Sequence, residues 1–331
     1  MLDPTAEFVA FCRRIPASCP PWGRGWCAAV ACMLEASAPK PGNVYPGADF
    51  HDLSCAELFA AGLAISPVLE RAAALPLGRV ILQAVQASRN VTRSNANLGI
   101  VLVIAPLAAV SDAPLAEHDR VGFGNSQSLS PERAAAVLAR LRPTDAADVW
   151  QAIACARPGG MGSAKSHDLT GPPPGELLEA MHLAASHDQI AKLWSHGYHD
   201  LFTGPVNDLA GEIELRADSL LADSAPLAAL SEAIVRCYLR QLARQPDSLI
   251  ARKHGDLVAA EVSLRAARLG AIAEQHSFQS PAFVVGMTDF DTYLRSPLRL
   301  NPGTTADLIA ASLYILLRGG QLRPLLSPLF T

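Results

Sequence analysis

The sequence is poor in aromatic residues, in charge and in paired cysteines. Of its 331 residues 6% are aromatic and 18% are charged, whereas 50% are hydrophobic. Alanine and leucine dominate and β-branched residues are sparse, which favours helix over sheet. The seven cysteines are odd in number and include no C-x-x-C pair, which argues against a disulfide framework and a zinc ribbon. We expect them to act as small buried hydrophobes in a reducing cytoplasm.

The chain also lacks an excess of positive charge and a long apolar run. Its net charge of −4 argues against nucleic acid as a main partner, because proteins that bind the phosphate backbone are usually basic. The first residues show no basic segment followed by an apolar core, so we expect no signal peptide. The longest apolar run, residues 98–110, contains Pro106 and is too short to cross a bilayer. We therefore expect a cytoplasmic protein without a membrane partner, and the oligomeric state stays open.

Hydrophobic periodicity predicts helices along most of the chain. We predict an all-α protein, with an irregular lead-in over residues 1–25 and a single domain of roughly ten to twelve helices over residues 26–331. No repeat or linker divides that domain, and the β-prone piece at Phe283 is too weak to predict a strand. The predicted helices cover residues 26–36, 53–74, 78–89, 97–110, 131–141, 145–156, 176–194, 220–242, 257–273 and 304–317.

Two long segments rich in proline and glycine interrupt the predicted helices, at residues 39–52 and 158–175. Irregular loops on a rigid helical scaffold are where binding and catalysis concentrate. The second segment begins with three closely spaced glycines, which are typical either of an anion-binding nest or of a simple helix-terminating turn. We treat both segments as candidate functional loops.

The segment Pro39-Lys-Pro-Gly-Asn-Val44 has the residue types of a phosphate site. Lys40 between two prolines loses little entropy on binding an anion, Gly42 lets a phosphate approach the backbone, and Asn43 offers a donor and an acceptor. Asp49 and Asp52 follow closely and could hold Mg²⁺ together with phosphate oxygens. The alternative is a proline-stiffened surface turn with solvated charges.

Polar residues in three other segments provide further candidates. Asn95 and Asn97 open the apolar helix at residue 98, either as caps or with their amides against a phosphate. Arg252 and Lys253 end a helix, where they either complement its dipole or bind a triphosphate. Asp188, within a predicted helix, either faces a site or is a solvated charge.

The last predicted helix begins with Asn301-Pro-Gly-Thr-Thr-Ala-Asp307. Thr304 and Asp307 have the spacing of a capping box, with Asp in place of the usual Glu, which is a sufficient structural explanation. The alternative is that Thr304, Thr305 and Asp307 position a substrate or Mg²⁺ at the start of the helix.

Together and in this order, these segments resemble the triphosphoribosyl-dephospho-CoA synthase family. PKPGNV, PDSLIARK and NPGTTADL are long enough that chance explains them poorly, and the resemblance runs from about residue 26 to residue 318. The similar stretches are Pro39–Val44 with Asp52, Asn95–Gly99, Ala152–Gly162, Leu177–Ala191, Pro246–Lys253 and Asn301–Leu308.

The resemblance implies an all-helical enzyme that uses ATP and 3′-dephospho-CoA. Members of the family join the triphosphoribosyl part of ATP to the ribose 2′-hydroxyl of dephospho-CoA and release adenine, which provides a prosthetic-group precursor. We expect Mg²⁺ as cofactor, with Asp49, Asp52 and Asp307 as its candidate ligands. The candidate catalytic carboxylates are Glu35, Asp52 and Asp307, and the candidate nucleotide-binding residues are Lys40, Gly42, Asn43, Asn95, Asn97, Arg252, Lys253, Thr304 and Thr305.

Two motifs depart from the family members that characterise this reaction. Those members carry N-T-H-K-G where this chain has Asn95-Ala-Asn-Leu-Gly99, and P-G-L-V-D where it has Pro41-Gly-Asn-Val-Tyr45. The chain therefore resembles a divergent branch. Two alternatives stay open: a related nucleotide-dependent enzyme with a different acceptor in cofactor biosynthesis, and a non-catalytic helical protein that binds a nucleotide.

Overall fold

The described part of the protein is helical and contains no β-sheet. The computed structural model describes residues 11–112, 129–156, 173, 175–216 and 226–330. Within these ranges the β-type pairing is limited to two isolated bridges, Tyr45 with Ala48 and Phe50 with Leu53. The predicted all-α class is confirmed. The predicted second functional loop, residues 158–175, lies outside the described residues except for residues 173 and 175.

Fifteen helices of seven residues or more form the described part of the chain, rather than the roughly ten to twelve expected. A 3₁₀ turn at Ala72–Ala74, a short helix at His199–Leu201 and a π-helical turn at Phe202–Val206 join some of them. In chain order the helices are α1 (Arg24–Ser37), α2 (Cys55–Glu70), α3 (Leu77–Arg89), α4 (Leu98–Ala108), α5 (Pro131–Leu138), α6 (Pro143–Ala156), α7 (Leu177–Ala184), α8 (Gln189–Ser195), α9 (Asn207–Leu215), α10 (Pro226–Arg244), α11 (Ser248–His254), α12 (Asp256–Gln275), α13 (Pro281–Arg295), α14 (Gly303–Gly319) and α15 (Arg323–Phe330).

The single helix predicted over residues 176–194 is wrong. The chain forms α7 and α8 instead, because the Asp188 side chain accepts hydrogen bonds from the backbone N–H groups of Ile190 and Ala191, both at 2.9 Å. An aspartate in this position caps a new helix rather than continuing the old one. The piece at Phe283, which has some β propensity, lies inside α13.

Helices α1, α4 and α14 form the centre of the core. Ten of the eleven residues of α4 are buried, as the apolar run predicts. Pro106 lacks the N–H that would bond the Leu102 carbonyl one turn earlier. The indole N–H of Trp194 donates to that carbonyl at 3.0 Å, and the Tyr198 hydroxyl donates to the next one, of Val103, at 2.8 Å. Side chains from α8 and the turn after it thus satisfy the backbone of a fully buried helix.

The N-terminal part of the described chain packs on this core. Cys12 and Cys19 are buried, and residues 13–23 form turns before α1 begins. The Arg24 guanidinium donates to the backbone carbonyls of Ala108 and Val110, which ties the start of α1 to the end of α4. All seven cysteines lie in the described ranges, and none of them forms a disulfide there. None of the helices in the described ranges is both long and apolar enough to cross a membrane.

Candidate active site

A single buried carboxylate joins the starts of α11 and α14. One oxygen of Asp247 accepts hydrogen bonds from the N–H groups of Leu249 and Ile250, at 2.9 and 3.1 Å. The other accepts from the N–H and the hydroxyl of Thr305, at 2.7 and 2.8 Å. Four hydrogen bonds to one fully buried carboxylate fix the two helix ends against each other. The PDSLIARK and NPGTTADL segments therefore meet at one place.

This arrangement corrects the predicted roles of the two threonines. The predicted capping box at Thr304 does not form, because α14 begins at Gly303 and Thr304 lies inside the helix. The hydroxyl of Ser248 donates to the Thr304 hydroxyl at 3.1 Å. Thr305 donates its hydroxyl to Asp247 and is 1% exposed. Both predicted substrate contacts are therefore occupied by protein partners in this structure.

Asp307 lies one turn into α14, directly against the backbone of α4. A Cβ atom added to Gly99 would collide with the Asp307 carboxylate, so glycine is required for this close approach. The carboxylate accepts no hydrogen bond from any residue in the described ranges. Burial raises its pKa well above the ordinary value, and the charges of Glu35, Asp247 and Asp188 raise it further. A carboxylate of this kind is a strong base and also a candidate proton carrier.

Three acidic residues surround Asp307, and we call Glu35, Asp188, Asp247 and Asp307 together the carboxylate cluster. They come from α1, from the caps of α8 and α11, and from α14. Of the three carboxylates around Asp307, those of Asp188 and Asp247 cap helices and accept backbone hydrogen bonds. The carboxylate of Glu35 forms an ion pair with Lys40. Their summed negative potential favours positive charge that develops beside Asp307.

A group of cations adjoins the carboxylate cluster, and we call Arg252, Lys253 and Arg299 the basic cluster. Arg252 lies 3.5 Å from Asp188, and its charge partly offsets the pKa rise of Asp307. Burial lowers the pKa of Lys253, and the charges of Arg299 and Arg252 lower it further. Neighbouring cations that depress the pKa of a lysine between them are a favourable environment for a polyanion. The predicted pair of Arg252 and Lys253 therefore lies beside Asp307.

The first candidate loop is fixed onto α13 by arginine contacts. Arg295 pairs with Asp291 at 2.7 Å and donates to the carbonyls of Asn43 and Ala48. Arg299, just beyond α13, stacks over the Phe50 ring at 4.1 Å and pairs with Asp52 at 2.7 Å. These contacts order the loop and bring Asp52 to the basic cluster.

Lys40 is a core residue in this structure, which corrects the prediction that it binds phosphate. Its side chain is 0% exposed, and its ammonium lies 3.0 Å from the Glu35 carboxylate. It also donates to the backbone carbonyls of Glu35 and Ala38. An ammonium has three N–H donors, so these contacts leave none for a ligand. The same pairing occupies the predicted catalytic carboxylate of Glu35.

Gly42 and Asn43 are also held by protein contacts, contrary to their predicted role in binding phosphate. The Gly42 N–H donates to Asp291 at 2.7 Å, and its φ of +78° suits glycine. The Asn43 amide donates to the Tyr238 hydroxyl at 2.9 Å, and this hydroxyl donates to the Pro41 carbonyl at 2.8 Å. Pro39–Val44 is therefore a rigid internal turn that supports the site.

The carboxylates predicted to hold Mg²⁺ do not form a metal site among themselves. Asp49 accepts the Cys55 N–H at 2.8 Å at the start of α2, and Asp52 pairs with Arg299. In the described ranges no group of three His, Cys, Asp or Glu side chains is placed to hold a metal ion. Of the three predicted ligands, Asp307 alone makes neither a hydrogen bond nor an ion pair with the described residues. The residues do not fit a magnesium ion held by three protein carboxylates.

The two asparagines before α4 differ in their surroundings. Asn95 is exposed and accepts the Leu98 N–H at 3.2 Å, so it caps the helix. Asn97 is 5% exposed, and its amide nitrogen is buried without a hydrogen-bond partner in the described part of the chain. Because Asn97 is two residues from Gly99, this free donor lies near the turn that meets Asp307.

Sequence reasoning missed two residues that organise the site. Asp247 lay in a quoted motif but received no role, although an aspartate between proline and serine before a helix is a capping signal. Arg299 gave no signal, since its importance arises from Asp52, Phe50 and Lys253, which are distant in sequence.

Comparisons with known proteins point in one direction. The family model described as ATP:dephospho-CoA triphosphoribosyl transferase (CitG) matches residues 22–323. The fold is similar to the crystal structure of a candidate triphosphoribosyl-dephospho-CoA synthase from Archaeoglobus fulgidus, with a TM-score of 0.53 and 20% identity. That alignment covers 79% of this chain and 98% of the other. No curated protein matches the sequence.

Proposed function

Because the chain belongs to the ATP:dephospho-CoA triphosphoribosyl transferase family and is a transferase of that type, we propose that it transfers the triphosphoribosyl group of ATP to a ribose 2′-hydroxyl of dephospho-CoA. In this reaction the 2′-oxygen bonds to C1′ of the ATP ribose. The bond from C1′ to adenine breaks and its electrons leave with adenine. The proton of the hydroxyl is finally carried by adenine, so the products are adenine and the triphosphoribosylated acceptor.

The observation that carries this proposal is that Asp307 lies within the carboxylate cluster and next to Arg252 of the basic cluster. Breaking the bond at C1′ builds positive charge on the ribose. The carboxylate cluster provides negative potential for that charge, and the basic cluster provides cations for the triphosphate of the same molecule. As the bond breaks, one ATP molecule thus carries positive charge near C1′ and negative charge on its triphosphate, and the protein has complementary charges side by side.

We assign to Asp307 the removal of the proton from the incoming 2′-hydroxyl. A base works best when its pKa approaches the operating pH, and burial together with Glu35 and Asp247 raises the pKa of Asp307 in that direction. Its carboxylate needs no protein partner to be displaced before it accepts a proton. Asp52, by contrast, has a lowered pKa because Arg299 donates a hydrogen bond to it, which makes it a weak base.

We assign the triphosphate to Arg252, Lys253 and Arg299. Arginine offers planar bidentate contacts to phosphate and lysine a compact charge, so the cluster combines both modes. Mg²⁺ accompanies ATP as the counter-ion of its triphosphate in this proposal. We assign no step to the metal, since the described residues form no three-carboxylate site for it.

A different acceptor is the second candidate function. It is favoured by Asn97, whose buried amide donor stands where characterised members of the family carry a histidine. An acceptor recognised by a neutral amide differs from one recognised by a basic ring. The nucleotide half of the reaction is the same in both cases.

The experiment is to incubate the protein with Mg·ATP, with and without dephospho-CoA, and to quantify adenine. Release of adenine that depends on dephospho-CoA supports the proposal. Formation of ADP or AMP without adenine contradicts it and directs attention to a different nucleotide reaction. Adenine release with another 2′-hydroxyl acceptor, and none with dephospho-CoA, supports the second candidate.

A further inference from the structure

A cavity lies next to the carboxylate cluster. It has a volume of about 440 Å³ and an open mouth, and we call it the Gly204 pocket. This size is in the range of small-molecule sites. Leu308, which follows Asp307, lines it, as does Gln189, which follows Asp188. The pocket and the candidate active site are therefore lined by neighbouring residues of the same two chain segments.

The wall of the pocket contains the most irregular helical turn in the described ranges. Phe202–Val206 forms a π-helical turn, and Gly204 has non-helical dihedral angles of φ −101° and ψ −107°. A Cβ atom at Gly204 would lie 3.3 Å from the Arg244 guanidinium, inside the pocket. π-helical turns are frequent at functional sites, because they interrupt the regular hydrogen bonding of the helix and change the surface that it presents.

The pocket contains a buried acceptor without a partner. Gln189 is 7% exposed, and its amide nitrogen donates to the Pro246 carbonyl at 2.9 Å. Its amide oxygen is buried and accepts no hydrogen bond in the described part of the chain. An orphaned buried acceptor is costly, and a donor from a ligand would satisfy it. Gln241 and Gln245 add two further amides to the lining.

The cations of the pocket are already neutralised. Lys192 lies 3.0 Å from Asp200, and Arg244 lies 2.8 Å from Asp208. The pocket therefore has little net charge to offer a polyphosphate. Apart from Thr203, the rest of the lining is apolar and includes Leu193, Leu201 and Leu308. Three amides on an apolar wall match a neutral ligand that carries amide groups and alkyl groups.

We propose that the Gly204 pocket binds the neutral, amide-bearing arm of the acceptor substrate, while the nucleotide part of the acceptor reaches Asp307. This inference rests on the proposed function for the identity of the acceptor. The pantetheine arm of dephospho-CoA has this chemistry: it is uncharged, it contains two amides, and it carries a dimethyl group for the apolar wall. The N–H of one amide would satisfy Gln189.

The test uses pantetheine as the probe and a substitution that fills the pocket. Gln245 is half-buried, and its side chain makes no hydrogen bond to described residues, so Gln245→Trp fills the cavity with little risk to folding. Gln275→Trp, on the exposed end of α12, is the matched control. Gln245→Leu, which keeps the size and removes the amide, is a second variant with a smaller perturbation. Calorimetric titration measures pantetheine binding, and adenine release measures KM for dephospho-CoA and for ATP.

We expect pantetheine to bind the wild type and Gln275→Trp, and to bind Gln245→Trp at least about tenfold more weakly. The KM for dephospho-CoA should rise by a similar factor, whereas the KM for ATP should stay within about twofold. Unchanged pantetheine binding in Gln245→Trp, or no binding to the wild type, overturns the inference. If no acceptor leads to adenine release, the proposed function fails, but the titration still decides whether the pocket takes an amide-bearing ligand.

Discussion

The carboxylate of Asp307 rests on the Cα of Gly99, and this contact joins the first turns of α4 and α14. No other residue type fits at position 99 without moving that carboxylate. The contact also explains how an acidic side chain can be held in place without a hydrogen bond from the described residues. Backbone shape, rather than a polar partner, limits its position, so the carboxylate stays free to exchange a proton.

The first prediction concerns Gly99→Ala. The added methyl group should push the Asp307 carboxylate aside, because a side-chain end yields more easily than a backbone. Displacement of a reacting group by about 1 Å can cost on the order of 10²-fold in rate, so we expect adenine release to fall by about that factor. The change in thermal unfolding should be small. Gly270→Ala is the matched control, since Gly270 lies in α12 with nothing within 4 Å of an added Cβ. Equal activities of the two variants would contradict the role of this contact.

The second prediction concerns Asp307→Asn. Asparagine keeps the shape and cannot accept the proton, and loss of a general base typically costs about 10²- to 10⁴-fold. In the wild type kcat/KM should rise with pH through an ionisation above the ordinary range of aspartate, since the pKa of Asp307 is raised. The residual activity of Asp307→Asn should lack that ionisation. A variant with full adenine release would remove Asp307 from the mechanism.

Asp307→Asn should lower activity but raise stability at high pH. The folded-state pKa of Asp307 is raised above the unfolded value, so the folded protein binds this proton more tightly. The free energy of unfolding therefore falls as pH increases from the unfolded pKa to the folded pKa. Asp307→Asn has no carboxylate to titrate, so its free energy of unfolding should not fall in this way. Above the folded-state pKa of Asp307 the variant should be more stable than the wild type, and its stability should depend less on pH. Urea titrations at several pH values measure both effects.

Sequence reasoning succeeded where one local pattern decides the outcome. The apolar helix α4 and the start of α14 with Asp307 were predicted, because burial and helix-start signals are local. The predicted role of Lys40 was wrong, because the local sequence does not show that the lysine side chain pairs with Glu35 at the end of the preceding helix. Sequence reasoning also gave no role to Arg299, whose partners Asp52, Phe50 and Lys253 are distant in sequence. Which ligand a basic residue binds depends on which acidic residue already holds it.

The third prediction concerns the basic cluster, with inorganic tripolyphosphate as the probe. Arg252→Ala or Lys253→Ala should weaken its inhibition of adenine release by about tenfold or more, since a hydrogen bond to a charged group contributes roughly 1.5–3 kcal/mol. The effect should shrink at high ionic strength. Arg268→Ala, which removes an exposed charge on α12, is the control. An equal loss of inhibition in Arg268→Ala would indicate that net charge, rather than a binding site, controls the effect of tripolyphosphate.

The lowered pKa of Lys253 adds a pH dependence to this prediction. Burial and the neighbouring Arg299 and Arg252 make the lysine lose its proton at a lower pH than usual. Binding of tripolyphosphate should therefore weaken as pH rises toward that lowered pKa. Lys253→Arg should keep its charge throughout, since arginine stays protonated. A wild type and Lys253→Arg with identical pH profiles would show that Lys253 does not contact the phosphates.

The fourth prediction separates structure from binding at Lys40. Lys40→Met leaves the Glu35 carboxylate buried without its partner, and breaking a buried ion pair in this way costs about 3–5 kcal/mol. We expect a large drop in the free energy of unfolding from urea titration. A lysine that binds the triphosphate would instead raise the KM for ATP with little change in stability. Because the Lys40 ammonium is enclosed by Glu35 and Ala38, we expect the folded fraction of Lys40→Met to keep its KM for ATP within about twofold.

The matched control for Lys40→Met is an ion pair of similar length at the surface. Arg79 lies 3.2 Å from Asp148, and its side chain is 52% exposed. Water screens such a pair, so Arg79→Ala should cost less than about 1 kcal/mol. Similar losses in the two variants would mean that the Lys40–Glu35 pair is not buried as described. The double variant Glu35→Leu with Lys40→Met should recover part of the stability, because it leaves no unpaired charge in the core. The activity of the double variant should be lower than that of the wild type, because the double variant lacks the Glu35 carboxylate of the carboxylate cluster.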